Sequence, residues 1–338
     1  MMKRFYCTYF DRNYLVRGLA LINSLRKNSE GDWQLFVVCM DHQSRNMLER
    51  FAMPNVVTFS IEQIEGADPE LVAAKNDRNR TEYLWTTTPA IILWLIKNNP
   101  EIDTLTYLDA DLYFYSSPEP IFAEMKESSV LIHEHRYSPE LRDMEINGKY
   151  NVGLLCFRND EAGARALRWW RERCIESCHH DLKAGKCGDQ VYLNDWPTRF
   201  TGVRVLQHRG AAVAPWNVDQ FSLRVENSRI LIEDVPLIFY HFHGLRILGP
   251  ECFRLAYRFY IRSDVARLIY QPYTRELTAA MDDILRVDHT FRFAFQQLQP
   301  IEKVWDFLFR FRPVSQLIAA VRRWTRRHAP PWTVATSS

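Results

Sequence analysis

The chain has 338 residues, of which 47% are hydrophobic and 13% aromatic, so it can bury one large core or one core with a smaller satellite domain. Its 43 Lys and Arg residues nearly balance 41 Asp and Glu residues, so the whole molecule is not an electrostatic trap for nucleic acid. No nucleic-acid partner is therefore expected, and the composition excludes a disordered or fibrous protein.

Short β-rich runs alternate with helical patterns through the first half of the chain. In chain order, the spacing predicts a strand at residues 4–10, a helix at 14–27, a strand at 33–40, a helix at 44–51, a strand at 55–61, a helix at 81–98 and a strand at 103–108. Such alternation is typical of a parallel sheet covered by helices. Asp109 and Asp111 directly follow the last strand, at the carboxyl end where ligands gather in open α/β sheets.

The second half continues the same sheet. Strands are predicted at residues 129–133, 150–157, 203–206 and 236–242, with a helix at 161–178. The pattern therefore predicts an α/β domain, residues 1–262, with a mixed, mainly parallel sheet and flanking helices. Past residue 250, aromatic and arginine-rich segments at 251–262 and 273–285 are predicted to be helical. Residues 263–338 are expected to form a helical C-terminal extension.

The sequence predicts a cytoplasmic location. Asp11, Arg12 and Arg17 interrupt the apolar character of the N-terminal segment, which therefore lacks the continuous core of a secretory signal. The longest apolar run, residues 89–96, is far shorter than the roughly 20 residues needed to cross a bilayer. Seven scattered cysteines, an odd number, indicate reduced thiols.

Asp109 and Asp111 form an acidic pair around the small residue Ala110. Because strand side chains alternate with a period of two, both carboxylates are predicted to point to the same side. Mg²⁺ and Mn²⁺ bind through one or two carboxylates plus water and substrate phosphates, which suits a nucleotide diphosphate. The alternative is a solvated turn in which aspartate caps its own backbone. The aromatic run at residues 112–115 favours the metal, because buried unpaired carboxylates are costly.

Six ordered blocks, spanning about Thr8 to Gly244, resemble glycosyltransferase family 8. They are CTYFDRNYLVRGLALINSLRKN, TLTYLDADLYF, KYNVGLLCF, GDQVYLND, APWN and YHFHG. The resemblance implies the GT-A fold, a UDP-sugar donor, a glycan or lipid-linked glycan acceptor, and hexose transfer with retention of anomeric configuration. It also implies Mn²⁺ as the cofactor, with Mg²⁺ as the alternative. A histidine beside two carboxylates favours Mn²⁺, because nitrogen ligands suit the transition metal better.

The resemblance assigns roles to particular residues. Asp109, Asp111 and His241 would hold the metal. Asp189 and Gln190 would lie closest to the reacting carbon, with Gln190 orienting groups instead of attacking. The donor would be bound by a larger set, namely Thr8, Asp11, Tyr14, Arg80, Asp109, Ala110, Asp111, Asn151, Gly153, Gly244 and Arg246.

Several of these residues also have ordinary structural interpretations. Taken alone, His241 is more typical of a core or strand-end histidine than of a metal ligand, and Asp189 is as typical of a helix N-cap. Trp216 and Asn217 fit ordinary loop packing. Ile247 stands where the family has a lysine that meets the diphosphate, and Arg246 beside it is the expected substitute.

Two other functions stay open on the residues alone. A nucleotidyltransferase or sugar-nucleotide pyrophosphorylase also places an acidic pair beside a nucleotide, although this N-terminus lacks a Gly-rich, Arg- or Lys-bearing phosphate loop after its first strand. A non-catalytic nucleotide-sugar-binding protein of the same fold would account for the missing lysine.

The C-terminal segment 301–338 contains seven Lys or Arg residues and two acidic residues, interleaved with tryptophan and phenylalanine. That mixture is typical of a segment that lies on an anionic membrane surface, and equally of a solvated helical cap. The membrane interpretation predicts a peripheral protein on the cytoplasmic membrane face, with a lipid-linked or envelope glycan as acceptor.

Overall fold

A mixed sheet with helices on both faces forms the centre of the molecule. The computed structural model describes residues 3–181 and 186–297, together with residues 300, 304 and 317. The strands of this part of the chain are β1 (Arg4–Phe10), β2 (Trp33–Cys39), β3 (Val56–Ser60), β4 (Thr104–Leu108), β5 (Leu112–Phe114), β6 (Val130–Glu134), β7 (Tyr150–Arg158), β8 (His180–Asp181), β9 (Lys186–Cys187), β10 (Val203–Val205), β11 (Leu223–Glu226), β12 (Arg229–Ile232), β13 (Val235–Pro236), β14 (Phe239–His241), β15 (Arg246–Gly249) and β16 (Cys252–Arg254). The helices are α1 (Leu15–Asn28), α2 (His42–Phe51), α3 (Ile61–Ala67), α4 (Pro69–Ala74), α5 (Arg80–Asn98), α6 (Glu119–Met125), α7 (Glu161–Glu176), α8 (Trp196–Arg199), α9 (Ser263–Val265) and α10 (Gln271–Val287).

The central sheet has the strand order β10-β6-β7-β4-β1-β2-β3. Strand β7 runs antiparallel to β4 and β6, and the other neighbouring pairs are parallel. The predicted mixed, mainly parallel α/β sheet with flanking helices is confirmed. The carboxyl ends of β1 and β4 meet the amino end of β7 at one edge, and this arrangement brings Asp11, Asp109 and Asn151 to that edge.

Side chains of β1 alternate between two hydrophobic clusters, one on each face of the sheet. Tyr6 and Phe10 belong to the cluster that includes α1 and α10, whereas Phe5 and Cys7 belong to the cluster that includes α5 and α7. Because both faces are buried, the strand is a nearly continuous apolar run without polar alternation. The sheet was therefore recognisable from short apolar runs.

Helix α5 begins with a capping box that fixes the position of Arg80. The Asn79 side chain accepts hydrogen bonds from the backbone N–H groups of Thr81 and Glu82 at 2.9 and 3.1 Å. In return, the Glu82 carboxylate accepts a hydrogen bond from the Asn79 N–H at 3.0 Å. This reciprocal capping starts the helix at Arg80, beside the edge of the sheet where the polar residues gather.

The helix predicted at residues 251–262 is wrong. This stretch contains β16, which pairs with β15, and Tyr257 donates its backbone N–H to the Gly244 carbonyl at 3.0 Å. Arg258 has a φ of +66°, in the left-handed region that a right-handed helix excludes. The aromatic and arginine spacing imitates an amphipathic helix, whereas these residues fold against the loop that follows β14.

The helices after residue 262 join the hydrophobic cluster on one face of the central sheet. A π-helical turn at Ala266–Tyr270 joins α9 to α10, and α10 lies against α1. Its buried residues Tyr273, Leu277 and Ile284 belong to the same cluster as Tyr6. None of the described helices combines the length and apolar character needed to cross a membrane. Apart from Val304 and Leu317, the predicted membrane-contact segment 301–338 lies outside the described residues.

Candidate metal and nucleotide-sugar site

The acidic pair lies in a tight turn between β4 and β5. The Leu112 N–H donates to the Asp109 carbonyl at 3.1 Å, and the Asp109 N–H donates to the Gly153 carbonyl of β7 at 2.9 Å. The sequence analysis attributed the shared orientation of the two carboxylates to strand alternation. That reason is wrong, because residues 109–111 are not in a strand. The chain reversal itself brings both carboxylates to one side, around the buried Ala110.

His241 reaches the acidic turn through strand pairing. Strand β14 runs antiparallel to β5 with His241 opposite Leu112, and the Phe242 N–H donates to the Asp111 carbonyl at 2.9 Å. Nε2 of His241 lies 3.2 Å from Oδ1 of Asp111 and 3.8 Å from Oδ2 of Asp109. One ligand atom from each of the three side chains lies within 4.8 Å of the others. His241, distant in sequence from the acidic pair, therefore meets it as predicted.

The charges of this cluster stabilise one another. Burial alone would raise the pKa of Asp111, but the adjacent imidazole of His241 lowers it to about 2. Burial would likewise lower the pKa of His241, yet attraction to Asp111 raises it above 6.5. The pKa of Asp109 is raised by burial and by the charge of Asp111. Two carboxylates and an imidazole are a donor set that fits a divalent transition-metal ion, which would replace the proton on His241.

Gly153 and Asn151 lie directly behind His241. The Asn151 side-chain oxygen accepts the Gly153 N–H at 2.8 Å, and its amide nitrogen lies 3.0 Å from Nε2 of His135. A β-carbon on residue 153 would lie only 2.9 Å from Nδ1 of His241. Glycine at this position is thus what allows the imidazole to sit against β7.

Tyr107 is a site residue that the sequence analysis missed. Its hydroxyl donates to Oδ1 of Asp109 at 2.7 Å, and its ring stacks on that of Tyr9 with centroids 5.9 Å apart. The Tyr9 hydroxyl in turn lies 3.0 Å from that of Thr88 on α5. Tyr107 stands two residues before Asp109 in the same chain segment, and this spacing was a usable signal. Nothing local to Tyr9 or Thr88 indicates the contact between them.

Asp189 is buried close to the hydroxyl group of Thr88. Burial and then the charge of Asp109 raise its pKa to about 8, while hydrogen bonds from the backbone of Asp189 and Gln190, and a weaker one with Thr88, partly oppose them. Asp189 occupies the N-cap position of the 3-10 turn that begins at Gln190, without a side-chain capping bond. The indole of Trp170 donates to its backbone carbonyl at 3.0 Å. The next residue, Gln190, is half-buried and donates to the Asn147 carbonyl at 2.7 Å.

Metal-free protein is expected to lose stability as the pH rises towards 8. The pKa of Asp189 is raised from 3.8 to about 8, so between these values the folded state holds a proton that the unfolded chain has released. This difference lowers the free energy of unfolding by up to about 1.4 kcal/mol per pH unit. Asp189→Asn cannot ionise and should flatten the slope. Urea unfolding with a chelator at about pH 5 and pH 8 tests this, and identical slopes for the two proteins would contradict it.

The residues predicted near the nucleotide gather at the end of β1. Asp11 forms an ion pair with Arg80 and also accepts the Asn13 N–H at 2.8 Å. Thr8 is fully buried, and its hydroxyl has no hydrogen-bond partner in the described part of the chain. Tyr14 is 39% exposed, so part of it is open to solvent.

Arg17 is a second residue that the sequence analysis did not single out. Its side chain is buried on α1, with the guanidinium 4.6 Å from the Tyr14 ring centroid. One nitrogen donates to the Leu245 carbonyl at 2.9 Å, and its charge helps to lower the pKa of Asp111. Arg17 therefore joins α1 to the loop that follows His241.

Gly244 and Arg246 continue this loop. Gly244 has a φ of +77° and packs against the Tyr257 backbone, which requires glycine. The Arg246 guanidinium lies 4.7 Å from the Tyr257 ring centroid, and those of Arg254 and Arg258 each lie 4.8 Å from it. Arg246 thus belongs to a group of three arginines around one tyrosine.

Trp216 and Asn217 support the histidines of the site. The Trp216 indole and the Asn217 amide both donate to the His135 carbonyl at 2.8 Å. The Trp216 ring also packs edge-on against His241, with centroids 5.3 Å apart. The two histidine-x-histidine patterns, at residues 133–135 and 241–243, were a sequence signal for this group of histidines around Trp216.

Two uncharacterized proteins of Bacillus subtilis (strain 168) are similar to this chain over most of its length. YfnD is 31% identical over 283 residues, which cover 82% of this chain and 90% of YfnD. YfnF is 34% identical over 252 residues, which cover 72% of this chain and 82% of YfnF. No protein-family model matches the chain.

A solved structure of the galactosyltransferase LgtC in complex with donor and acceptor sugar analogues has a similar fold. The TM-score is 0.52 at 13% sequence identity, and the match covers 89% of this chain and 99% of that chain. At this identity the likeness shows the fold alone. The predicted GT-A fold is thereby confirmed.

Proposed function

The chain belongs to the same family as the uncharacterized proteins YfnD and YfnF of Bacillus subtilis, and we propose that it is a metal-dependent glycosyltransferase. The proposed reaction moves a hexose from a UDP-sugar to a glycan or lipid-linked glycan. By its motifs the chain is similar to glycosyltransferase family 8, and retention of anomeric configuration is proposed on that basis.

The observation that supports this function best is the cluster of Asp109, Asp111 and His241 at the carboxyl edge of the sheet. Ligands of open α/β sheets bind at that edge. A hard divalent cation held by few protein ligands keeps coordination positions for substrate phosphates. The imidazole makes Mn²⁺ the proposed ion in preference to Mg²⁺.

The proposed donor lies across the edge from β1 to β7. Thr8, Asp11 and Tyr14 would face the nucleoside, and the Asp11–Arg80 ion pair would orient the side of the site formed by α5. Asn151 and Gly153, behind the His241 imidazole, would lie on the side of the site that takes the sugar. Gly244 and Arg246 would lie towards the diphosphate.

In the proposed transfer, the bond between the anomeric carbon and the diphosphate oxygen breaks, and its electron pair stays on the diphosphate. The acceptor oxygen bonds to the anomeric carbon from the same face, and its proton passes to the departing diphosphate. When bound, the metal would neutralise charge that develops on the leaving group. The protein mainly positions the reactants: Asp189 and Gln190 would contact the sugar and acceptor, while Tyr107 orients the Asp109 carboxylate.

A donor panel tests the proposal. Purified full-length protein is incubated with several sugar nucleotides, with Mn²⁺ or with a chelator, and released nucleoside diphosphate is measured. We expect UDP release that requires Mn²⁺ and is lost in Asp109→Ala. Release of inorganic pyrophosphate would support a nucleotidyltransferase instead. Binding of UDP-sugar without turnover would support a non-catalytic binding protein.

A further inference from the structure

His243 presents an exposed imidazole beside the proposed metal site. Three rings pack edge-on around it, with centroid distances of 5.5 Å to Trp216, 6.0 Å to His241 and 6.4 Å to Phe259. Trp216 is itself fixed by its hydrogen bond to the His135 carbonyl. The ring of His243 is therefore held in place although its edge is open to solvent.

The ring nitrogens of His243 have no hydrogen-bond partner in the described part of the chain. His135 differs in this respect, because Asn151 lies 3.0 Å from its Nε2. A ring that is fixed by packing while its nitrogens stay available is suited to contact a ligand.

The ring of His243 lies next to the cluster of Asp109, Asp111 and His241. The residue follows β14 directly, and the Phe242 N–H holds this segment to the Asp111 carbonyl at 2.9 Å. The centroid of the His243 ring lies 6.0 Å from that of His241. A phosphate held by a cation at the cluster, on the side of His243, would therefore lie next to this ring.

We infer that His243 donates a hydrogen bond to the diphosphate of the bound sugar nucleotide and helps to hold the leaving group. The inference rests on the proposed function and adds a catalytic residue to it. It separates the two histidines of the 241–243 pattern: His241 binds the metal, and His243 binds the phosphate that the metal carries.

Two titrations of the full-length protein test this separation, first with Mn²⁺ alone and then with UDP at saturating Mn²⁺. His243→Ala should bind Mn²⁺ as wild type does and bind UDP about 10- to 100-fold more weakly, as expected for a lost hydrogen bond to a charged group. His243→Asn keeps an N–H donor and should recover part of the affinity. His289→Ala, which alters an exposed histidine after α10, is the matched control and should behave as wild type.

Each outcome bears on a different claim. Wild-type UDP affinity in His243→Ala would overturn the inference. A loss of Mn²⁺ affinity in His243→Ala would also overturn it, because the ring would then support the metal cluster. If the wild-type protein binds no UDP with Mn²⁺, the proposed function itself fails.

Discussion

Replacing Asp111 with asparagine is expected to lower metal-dependent release of UDP by about 100- to 1,000-fold. The Asp111 carboxylate lies 3.2 Å from Nε2 of His241, and its pKa is lowered to about 2, so it is charged at neutral pH. Asparagine keeps the shape of the side chain but removes the charge that attracts the cation. Calorimetric titration with Mn²⁺ and an assay of UDP release on the same sample measure both effects.

Asp103→Asn is the matched control for this change. Asp103 precedes β4 and is exposed at the opposite end of the strand that leads into the acidic turn. Its replacement should change neither Mn²⁺ affinity nor turnover. An Asp111→Asn protein that binds Mn²⁺ as tightly as wild type would show that Asp111 is not a ligand, and the metal-dependent mechanism would then be wrong.

Elements with buried faces or strong caps were predictable from the sequence. The predicted strands at 4–10 and 33–40 correspond closely to Arg4–Phe10 and Trp33–Cys39, because parallel strands covered on both faces appear as short apolar runs. The helix predicted at 81–98 begins one residue earlier, at Arg80, where Asn79 and Glu82 form the capping box. The helix predicted at residues 251–262 was wrong because helical spacing does not reveal that this backbone hydrogen-bonds to the loop containing Gly244.

The candidate site was predictable only in part. Asp109 and Asp111 were visible as a pair, although a turn and not strand alternation brings them together. His241 could be joined to them only by resemblance to a family, because its approach depends on the pairing of β14 with β5. The contact of Thr88 with Tyr9 depends on how α5 packs on β1, and no local pattern reports such packing.

Gly153→Ala is expected to weaken Mn²⁺ binding by about 10- to 100-fold, the range for changes to residues that orient a metal ligand. The new β-carbon would lie 2.6 Å from the Asn151 side-chain oxygen and 2.9 Å from Nδ1 of His241. Neither neighbour can easily move, because Asn151 is bound to His135 and Trp216 packs against His241. Overpacking of this kind should also reduce the free energy of unfolding by about 1–3 kcal/mol.

Gly66→Ala separates this steric effect from the general effect of adding a methyl group to glycine. A β-carbon on Gly66 would have no atom within 4 Å, and the residue lies in α3, where alanine should stabilise the fold by about 0.5–1 kcal/mol. Mn²⁺ affinity should not change. In urea unfolding, Gly153→Ala should therefore lower the free energy of unfolding and Gly66→Ala should raise it. In Mn²⁺ titration, only Gly153→Ala should bind more weakly than wild type. If Gly153→Ala bound Mn²⁺ normally, the expectation that glycine at this position is needed to place the His241 imidazole for the metal would be wrong.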